Sequence, residues 1–467
     1  MNGHAAGRKL SQLPDEMFTL IKSSSQTLGP RLGKLALTGR RVLDTPHYLG
    51  NTSRGVVPHI TQDTFRRDTD ISGVYIGLED FIERNPPPLY KFQPPDGASP
   101  LRRFVALPDD TVIVVGARRT PPVAAPAANP NTSTTISVGT SVGFKLLQAE
   151  DYANTVEGLK ADVVVGLGDI PYGRALGSKR IEKAVDRNIQ WLQDHVAVRE
   201  IGKDGPQAKL FASLLPVSCA KQQFYIDCLT DELAHGVAGL AIYDADSLED
   251  LPNSLSSLPR LSFLDPKCPM DVLRHVSSGI DIFTVPFIGA ATDAGIALDF
   301  QFPAAVETAS DSPIPLPLGL DMWSPTHAVD LSPLSKDCFC YACSGHHRAY
   351  IQHLLAAKEM LGWVLLQIHN HHIMDRFFNG IRSSISNATF EQDMAHFEKF
   401  YERQMPEKTG QGPRVRGYQF KSEGPGPDRR GEAKKNKSAF HTLNDSAEKL
   451  AEATPPNAKA DADVLQA

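Results

Sequence analysis

Short apolar runs alternate with longer helix-like segments from Pro30 to about Gln404. A run bounded by turn-forming residues is typical of a buried strand, and strands that alternate with helices are typical of a parallel sheet. Two of the helix-like segments are Ser178–Val196 and Gln222–His235. The predicted strands are Thr111–Val115, Asp162–Leu167, Lys209–Leu214, Val237–Ile242, Ile280–Val285 and Leu316–Leu320. This alternation predicts an α/β fold.

Strand–helix units of this kind fit two architectures. One is a closed TIM (β/α)8 barrel, and the other is a doubly wound open sheet, which fits the pattern nearly as well. The length of 467 residues allows one large domain with additions, or two to three domains. Length and pattern alone therefore do not decide between a closed barrel and an open sheet.

Three segments depart from the pattern and are predicted to lack a packed core. Residues 1–28 are polar and are expected to form a flexible N-terminus. The segment Thr120–Thr135 is dominated by Pro, Ala, Thr and Asn, which predicts a mobile insertion over residues 118–136. Residues 405–467 are rich in Pro, Gly, Lys, Glu and Ala, which predicts a disordered tail. The folded domain is then expected over residues 29–404.

The composition is that of an ordinary globular protein, with 41% hydrophobic and 22% charged residues. No run of about 18 apolar residues is present, so no membrane-spanning helix is expected. The first residues lack the apolar core of a secretory signal, and half of the cysteines are clustered. Both features predict a reducing, cytoplasmic location.

The formal net charge of −6 gives no general attraction to nucleic acid, so contact with RNA would need a local basic surface. The candidate side chains are Arg31, Lys34, Arg40 and Arg41 near the start and Arg414, Arg416, Lys421, Arg429, Arg430, Lys434, Lys435 and Lys437 in the tail. One interpretation is that they contact phosphate groups. The other is ordinary solvated charge, because acidic residues are interspersed among them.

Three of the six cysteines, Cys338, Cys340 and Cys343, lie within six residues. Thiols at this spacing can face one point from a tight turn, and zinc prefers four soft or borderline ligands in a tetrahedron. A Cys₃His set leaves no open position, so its ion would hold structure and would not activate water. The alternative interpretation is a group of buried free thiols.

The fourth ligand must come from elsewhere in the chain. Apolar residues at helical spacing from Tyr350 to Ile368 predict one long amphipathic helix after the cysteines. The histidines of this region are His346, His347, His353, His369, His371 and His372, and their positions alone do not choose among them. The remaining cysteines, Cys219, Cys228 and Cys268, are predicted to be core residues.

A family resemblance does choose among the histidines. Twenty-five residues separate Cys343 from His369, and this spacing resembles the zinc signature of the tRNA-guanine transglycosylases. The stretch RAYIQHLLAAKEMLGWVLLQIHN after the cysteines is similar to that family too. The resemblance implies one structural Zn²⁺ per chain, held by Cys338, Cys340, Cys343 and His369. It also implies a TIM barrel with the zinc subdomain inserted near its end, here at about residues 325–404.

Members of this family exchange guanine 34 in the anticodon of certain tRNAs for a queuine-type base. Further matches are carried by Pro30–Leu35, Asp44–Pro46, Ala161–Tyr172, Ser178–Leu192, Gly239–Ile242 and Ser277–Gly295. Asp169 falls near the position of an aspartate that contacts the substrate in the family. We therefore treat Asp169 as a vestigial candidate for substrate binding.

The residues of the family's active site are largely absent. The family reads roughly Gly-x-Asp-x-Phe-Asp, with the second aspartate as nucleophile, whereas Gly279–Thr284 ends in threonine. The following Pro-Thr-Arg stretch is replaced by Val285–Ala290, and the glycine-rich turn after Gly239–Ile242 is replaced by Tyr243–Asp246. The base-binding Asp-Ser-Gly-Gly-Phe-Gln stretch is not found, since the region reads as Phe104–Arg119.

These losses imply an inactive copy with no catalytic residue and with Thr284 at the nucleophile position, because threonine is a poor nucleophile without an adjacent base. The family includes a non-catalytic subunit that pairs with a catalytic one around the zinc subdomain. The resemblance thus implies a heterodimer acting on tRNAs with GUN anticodons, those for aspartate, asparagine, histidine and tyrosine. Two further points are not decided by the sequence. One is whether the chain forms a homodimer when alone, and the other is whether it associates peripherally with the mitochondrial outer membrane.

Two alternatives remain at this point. The chain is an active transglycosylase with a displaced nucleophile, such as Asp281 or Asp169. The odd spacing between Asp281 and Thr284 argues against the first of these, because it places the two side chains on opposite faces of a strand. The second alternative is a zinc-containing scaffold that binds tRNA through the basic tail.

Overall fold

The computed structural model describes residues 16–23, 28–95, 97–125, 130–172, 176–201, 207–305 and 315–413. Its strands are β1 Phe18–Lys22, β2 Leu32–Leu35, β3 Leu43–Thr45, β4 His47–Asn51, β5 Gly73–Gly77, β6 Val112–Gly116, β7 Thr135–Thr140, β8 Gly143–Gln148, β9 Val163–Val165, β10 Lys209–Ser213, β11 Gly239–Ile242, β12 Arg260–Ser262, β13 Ile282–Thr284, β14 Ile296–Leu298 and β15 Gly319–Asp321. Its α-helices are α1 Gln62–Asp68, α2 Pro88–Lys91, α3 Pro100–Phe104, α4 Ala149–Gly158, α5 Ser178–Ile201, α6 Gln223–Thr230, α7 Asn253–Ser256, α8 Pro269–Ser277, α9 Phe287–Ala294, α10 Tyr341–Gly345, α11 Arg348–Ala356, α12 Met360–Asn387 and α13 Phe390–Phe400. Within these ranges no helix is both long and apolar enough to span a bilayer.

Eight parallel strands close into a barrel in the order β4, β5, β6, β9, β10, β11, β12 and β13. The pairing of β13 with β4, where Ile282 lies opposite His47, completes the ring and excludes the open sheet. Strands β5 and β6 are buried along their whole length, as expected for parallel strands covered on both faces. Alternate residues such as Leu49, Val114 and Phe211 fill the interior. The predicted TIM-barrel class is confirmed.

The strands β1, β2 and β3 form a small antiparallel sheet at the amino-terminal end of the barrel. Its apolar side chains join the core of the barrel interior. The expectation of a flexible segment over residues 1–28 is wrong for Phe18–Lys22, because Phe18 is buried against Gly33, where any side chain would collide with its ring. Lys22 Nζ also donates to the carbonyl oxygen of Ile385 at 2.8 Å.

The predicted insertion over residues 118–136 is described apart from residues 126–129, and its ends are tied to the barrel. The guanidinium of Arg118 donates to the carbonyl oxygen of Ser137, on the hairpin formed by β7 and β8. The side-chain oxygen of Asn131 accepts from the backbone N–H of Ser137 at 3.0 Å. The described ends of the insertion are thus hydrogen-bonded to β7, and the mobility of the insertion stays a prediction.

The last strand of the barrel is separated from its covering helix by the cysteine-containing segment. Helix α12 lies over the β13–β4 seam, where the ring of Phe378 is 5.5 Å from Tyr48 and 5.6 Å from Phe283. The single long helix expected after the cysteines is in fact two, α11 and α12, because Lys358 adopts a left-handed backbone conformation with φ of 58°. The last predicted strand, β15, pairs with β14 outside the barrel.

Candidate metal centre and closed barrel mouth

A tight turn brings the three clustered cysteines together. Cys340 is the N-cap residue of α10, and its Sγ accepts a hydrogen bond from the backbone N–H of Cys343 at 3.4 Å. Capping fixes the direction in which α10 begins, because it satisfies a backbone N–H that has no partner inside the helix. The thiols of Cys338 and Cys340 are buried, and that of Cys343 is half-buried.

Helix α12 supplies a histidine to the same point. The Nδ1 atom of His369 lies 3.7 Å from Sγ of Cys338, 3.6 Å from that of Cys340 and 3.4 Å from that of Cys343. A tetrahedral zinc ion with its usual bond lengths would place sulfur and nitrogen ligands about 3.5 Å apart. The four ligand atoms all lie within 4.8 Å of one another, so the cluster can hold a metal ion.

The orientation of His369 also suits a metal ligand. Its Nε2 donates to the carbonyl oxygen of Leu298 at 2.9 Å, so Nδ1 is the ring atom that faces the thiols and would bind an ion. Burial alone would lower the pKa of His369, but its hydrogen bonds to the thiols of Cys338 and Cys343 raise it to about 9. Metal binding would therefore displace protons from this cluster.

Among the described residues, the other histidines of this region do not join the cluster. His371 instead lies 3.1 Å from the Tyr48 hydroxyl, between α12 and the barrel. Cys219, Cys228 and Cys268 are buried in the apolar core, as predicted. Four protein ligands would leave an ion bound here no open coordination position.

The carboxyl-terminal mouth of the barrel is filled by aromatic rings. Tyr243 stacks on Phe263 with ring centroids 5.0 Å apart, and Phe263 packs edge-on against Tyr75 at 5.1 Å. The hydroxyl of Tyr75 donates to the carbonyl oxygen of Arg118 at 2.6 Å. Burial raises the pKa of Tyr75 and Tyr243, so both phenols stay neutral. The rings thus form a fixed plug at the place where TIM barrels bind substrates.

Little space is left among these rings. The cavity lined by Tyr75, Tyr172, Tyr243 and Phe263 has a volume of about 20 Å³. One water molecule needs about 10–15 Å³ on this measure, so the cavity holds a single water and excludes a purine-sized base. Tyr243 stands at the start of the segment that replaces the family's glycine-rich turn, which explains part of the filling.

Thr284 lies at the carboxyl end of β13, and its side chain alternates with that of Phe283, which faces the outer core. Its hydroxyl donates to the carbonyl oxygen of Ser262 at 2.9 Å and is fully buried. Within the described chain no carboxylate or imidazole is hydrogen-bonded to this hydroxyl. The threonine therefore lacks the neighbouring base that a hydroxyl nucleophile requires.

Asp169 is fully buried, and both of its carboxylate oxygens are already bound. Arg180 donates to both oxygens at 2.6 Å, and Arg187 donates to Oδ2 at 2.7 Å. Asn131 donates to Oδ1 at 2.7 Å. Burial alone would raise the pKa of Asp169, but these hydrogen bonds lower it below its ordinary value of 3.8. The carboxylate is thus a permanent anion that holds the protein together and is closed to a substrate.

Asp281 lies at the opposite end of the barrel from the mouth. Its carboxylate accepts from Arg31 at 2.8 and 3.1 Å and from the backbone N–H of Arg260 at 2.8 Å. The carboxylate of Asp281 and the hydroxyl of Thr284 thus bind different partners at opposite ends of β13. The alternative of a displaced nucleophile at Asp281 or Asp169 is therefore not supported by the geometry of either carboxylate.

The basic residues near the start of the chain are also paired with carboxylates. Arg31 pairs with Asp281 at 2.8 Å, and Arg40 pairs with Asp162 at 2.6 Å. The two other pairs are Arg41 with Asp110 and Lys34 with Asp44. This group is therefore ordinary structural and surface charge. The tail residues from Arg414 onward, to which the sequence assigns a possible phosphate contact, lie outside the described residues.

Comparison with known proteins agrees with this combination of barrel and metal cluster. The family model described as queuine tRNA-ribosyltransferase matches residues 26–403. A Schizosaccharomyces pombe protein named queuine tRNA-ribosyltransferase accessory subunit 2 is 34% identical over 405 residues, which cover 86% of this chain and 88% of that protein. The chain belongs to the queuine tRNA-ribosyltransferase family.

Two more distant relatives carry the same name. The Ixodes scapularis protein is 29% identical over 387 residues, covering 76% of this chain and 91% of its own length. The Danio rerio protein is 26% identical over 409 residues, covering 79% of this chain and 95% of its own length. Both are named queuine tRNA-ribosyltransferase accessory subunit 2.

A groove of about 560 Å³ opens at the same carboxyl-terminal end of the barrel in this family member, and its lining includes Thr52 after β4 and Val285 after β13. The charged residues among its lining are Asp80, Arg119, Asp265, Lys267 and Asp293. Burial raises the pKa of Asp80 to about 6, and its carboxylate accepts from the backbone N–H of Arg54 at 2.9 Å. Three carboxylates against two cations give the groove no net positive charge to attract an RNA backbone.

Sequence reasoning missed two features of this family member. The first is the pair Arg180 and Arg187, which neutralises Asp169. Their spacing of seven residues could have indicated that both lie on one face of a helix. The second is a set of exposed apolar side chains on the segment that carries the cysteines, at about residues 325–404, which we call the metal module. Val329, Leu331 and Phe339 are exposed at 86%, 74% and 83%, although single exposed apolar residues are common. Their concentration in one module is typical of a contact surface.

Proposed function

We propose that this chain is the non-catalytic accessory subunit of a heterodimeric queuine tRNA-ribosyltransferase. The observation that carries the proposal is the aromatic cluster of Tyr75, Tyr243 and Phe263, which leaves a cavity of only about 20 Å³ among its rings at the carboxyl-terminal end of the barrel. A base cannot enter this space, and the hydroxyl of Thr284 has no base to activate it. The names of the relatives support the same role.

In this proposal the four-ligand cluster binds one Zn²⁺ through Cys338, Cys340, Cys343 and His369. The ion would tie the turn that carries the cysteines to α12, which covers the β13–β4 seam. Structural zinc contributes folding energy directly, because the ligands come together only in the folded state. The metal would thus shape the outer surface of the module without taking part in a reaction.

The partner in this proposal is the catalytic queuine tRNA-ribosyltransferase subunit. The exposed Val329, Leu331 and Phe339 supply apolar contacts on the metal module, where an interface would bury them. Base exchange at guanine 34 of tRNAs with GUN anticodons would take place in the partner's barrel. None of the six cysteines, all of which lie in the described residues, forms a disulfide, and this supports a cytoplasmic location for the pair.

Reconstitution of activity tests the proposal. Incorporation of labelled queuine or guanine into a GUN tRNA would be measured for this chain alone, for the catalytic subunit alone and for the mixture. We expect no incorporation by the lone chain and full activity in the mixture. Native mass spectrometry of the mixture should show a one-to-one complex with zinc bound to this chain.

Base exchange by the purified lone chain would overturn the proposal. A homodimer of the lone chain would be compatible with it if the catalytic subunit displaces one copy. Binding of tRNA by the lone chain, with no effect on the catalytic subunit, would instead favour the tRNA-binding scaffold that the basic tail suggests.

A further inference from the structure

A second pocket lies outside the plugged mouth, between α5 and the described ends of the insertion. It has a volume of about 280 Å³, which is far more than a few waters need and close to the lower limit of about 300 Å³ for small-molecule sites. One wall is apolar and includes Val123, Pro130 and Ile170. The other wall is cationic, with Arg118, Arg180, Lys183 and Arg187.

The cationic wall follows from the register of α5. Positions 180, 183 and 187 are three, four and seven residues apart, so Arg180, Lys183 and Arg187 share one face of the helix. Like charges at this spacing repel one another unless an anion compensates them. Asp169 supplies a single negative charge from beneath, through Arg180 and Arg187.

The balance of charge in the pocket is therefore positive. The pocket is lined by four cationic side chains and no carboxylate, and Asp169 supplies one negative charge from beneath. The oxygens of Asp169 are already bound by Arg180, Arg187 and Asn131. The remaining positive charge is therefore not neutralised by any carboxylate among the lining residues. Arg180 and Arg187 are already oriented by Asp169, which lowers the entropic cost of binding an anion with them. Lys183 is exposed at the rim and can reach a ligand that enters from solvent.

We propose that this pocket binds a phosphate monoester with a flat or apolar organic part, such as a nucleoside monophosphate. Arginine and lysine together are the usual partners of phosphate oxygens. A monoester carries about −1.5 to −2 at neutral pH and matches the surplus better than a diester does. The apolar wall of Val123, Pro130 and Ile170 fits the organic part, and the ring of Tyr172 lies under the guanidinium of Arg118 at 5.4 Å.

Calorimetry on the full native chain, without any partner, tests this site. The probes are AMP, adenosine, inorganic phosphate and a 5′-hydroxyl trinucleotide that holds only internal phosphodiesters. We expect saturable binding of AMP, weaker binding of inorganic phosphate and none of adenosine, with an affinity that falls as salt is raised. Because no partner or tRNA is present, this result does not depend on the proposed accessory role.

The deciding variant is Lys183→Glu, since Lys183 is exposed and its loss should not disturb folding. Removing a charge-assisted hydrogen bond and adding a repulsive charge should weaken AMP binding at least about tenfold. The matched control is Lys209→Glu, because Lys209 is equally a surface lysine but begins β10 at the opposite end of the barrel. It should change the affinity less than about twofold.

Failure of AMP to bind at low salt, or unchanged binding by Lys183→Glu, would overturn the proposal. Tighter, Lys183-dependent binding of the trinucleotide than of AMP would also overturn it, because the ligand would then be an RNA backbone. Equal weakening by Lys183→Glu and Lys209→Glu would show a general charge effect and no defined site.

Discussion

The reactive side chains of the metal module and those of the barrel mouth are arranged in opposite ways. In the module, three thiols and the Nδ1 atom of His369 converge with lone pairs directed at one point. At the carboxyl-terminal end of the barrel, two candidate reactive groups are already occupied, since Thr284 donates to a backbone carbonyl and Asp169 is held by two arginines. One region is organised to receive a ligand, and the other is organised to exclude one.

This difference teaches that a barrel can keep its architecture while its mouth becomes part of the core. The rings of Tyr75, Tyr243 and Phe263 pack as interior residues do, and such packing stabilises the fold. The outward surface of the module, in contrast, carries apolar residues that contribute nothing to the isolated fold. Four amino-acid substitutions test this difference between the metal module and the barrel mouth.

The largest effect is expected from Cys340→Ala, which removes a ligand from the cluster. Structural zinc is worth about 10–16 kcal/mol of apparent binding free energy in zinc-finger peptides, so losing one ligand should release the ion and unfold the turn. The affinity for zinc should fall by more than the roughly 10- to 100-fold that is typical of substitutions beyond the ligands, and elemental analysis should find the purified variant without its zinc. Partner binding should be lost while the circular dichroism of the barrel remains.

The matched control for that change is Cys219→Ala, a buried cysteine whose Sγ faces the carbonyl oxygen of Ser247. It should keep its zinc and its partner. If Cys340→Ala also keeps zinc at the level of the control, the module is not the metal centre and the comparison fails.

The second effect concerns the ion pairs at the mouth. Asp169→Asn should lower the free energy of unfolding by about 2–3 kcal/mol. Removing one partner of a fully buried ion pair usually costs about 3–5 kcal/mol. The loss should be smaller here because Arg180 and Arg187 are partly exposed. Urea titration at pH 7 would measure this loss. The control Asp186→Asn, at an exposed position of α5, should change stability by less than about 0.5 kcal/mol.

The same pair has a defined pH dependence. The folded pKa of Asp169 lies below its ordinary value of 3.8, so the native chain binds fewer protons at this site than the unfolded chain. Its stabilisation is therefore complete above about pH 5 and is lost as the pH falls below 4 through the folded pKa. The difference between the native chain and Asp169→Asn should shrink in that range, and a constant difference would contradict the ion-pair assignment.

The third effect tests the apolar surface of the module. Phe339→Glu should weaken binding of the catalytic subunit roughly 10- to 100-fold, which is about 1.4–3 kcal/mol, because a charge would be buried at the interface. Surface plasmon resonance would measure the affinity. Phe224→Glu is the matched control, since Phe224 is 81% exposed on α6, outside the metal module. Equal affinities of the two variants would place the interface elsewhere.

The smallest effect is expected at Thr284, which the family resemblance aligns with the nucleophile. Thr284→Val removes one buried hydrogen bond and should cost about 1 kcal/mol of stability. Base exchange by the reconstituted heterodimer should be unchanged, because Thr284 touches no substrate. A loss of turnover in a heterodimer that still assembles would make this threonine a participant in the reaction.

The sequence predicted the elements of this fold better than their assembly. Buried strands such as Lys209–Ser213 and the helix beginning at Ser178 were evident from local patterns, because burial and period leave a mark on neighbouring residues. The pattern did not separate a barrel from an open sheet, since this depends on whether β13 pairs with β4. Those strands are more than 200 residues apart, beyond the reach of any local rule. The domain limits at residues 29–404 remain a prediction.

The family resemblance selected His369, and the residues alone established two further facts: the clustering of three cysteines and the absence of a carboxylate at residue 284. Both are matters of residue type and spacing, which the chain states directly. Only the tertiary structure decided that Asp169 is neutralised and that Tyr75, Tyr243 and Phe263 close the mouth. These side chains come from different strands and helices, and the stagger of a closed barrel determines which of them meet.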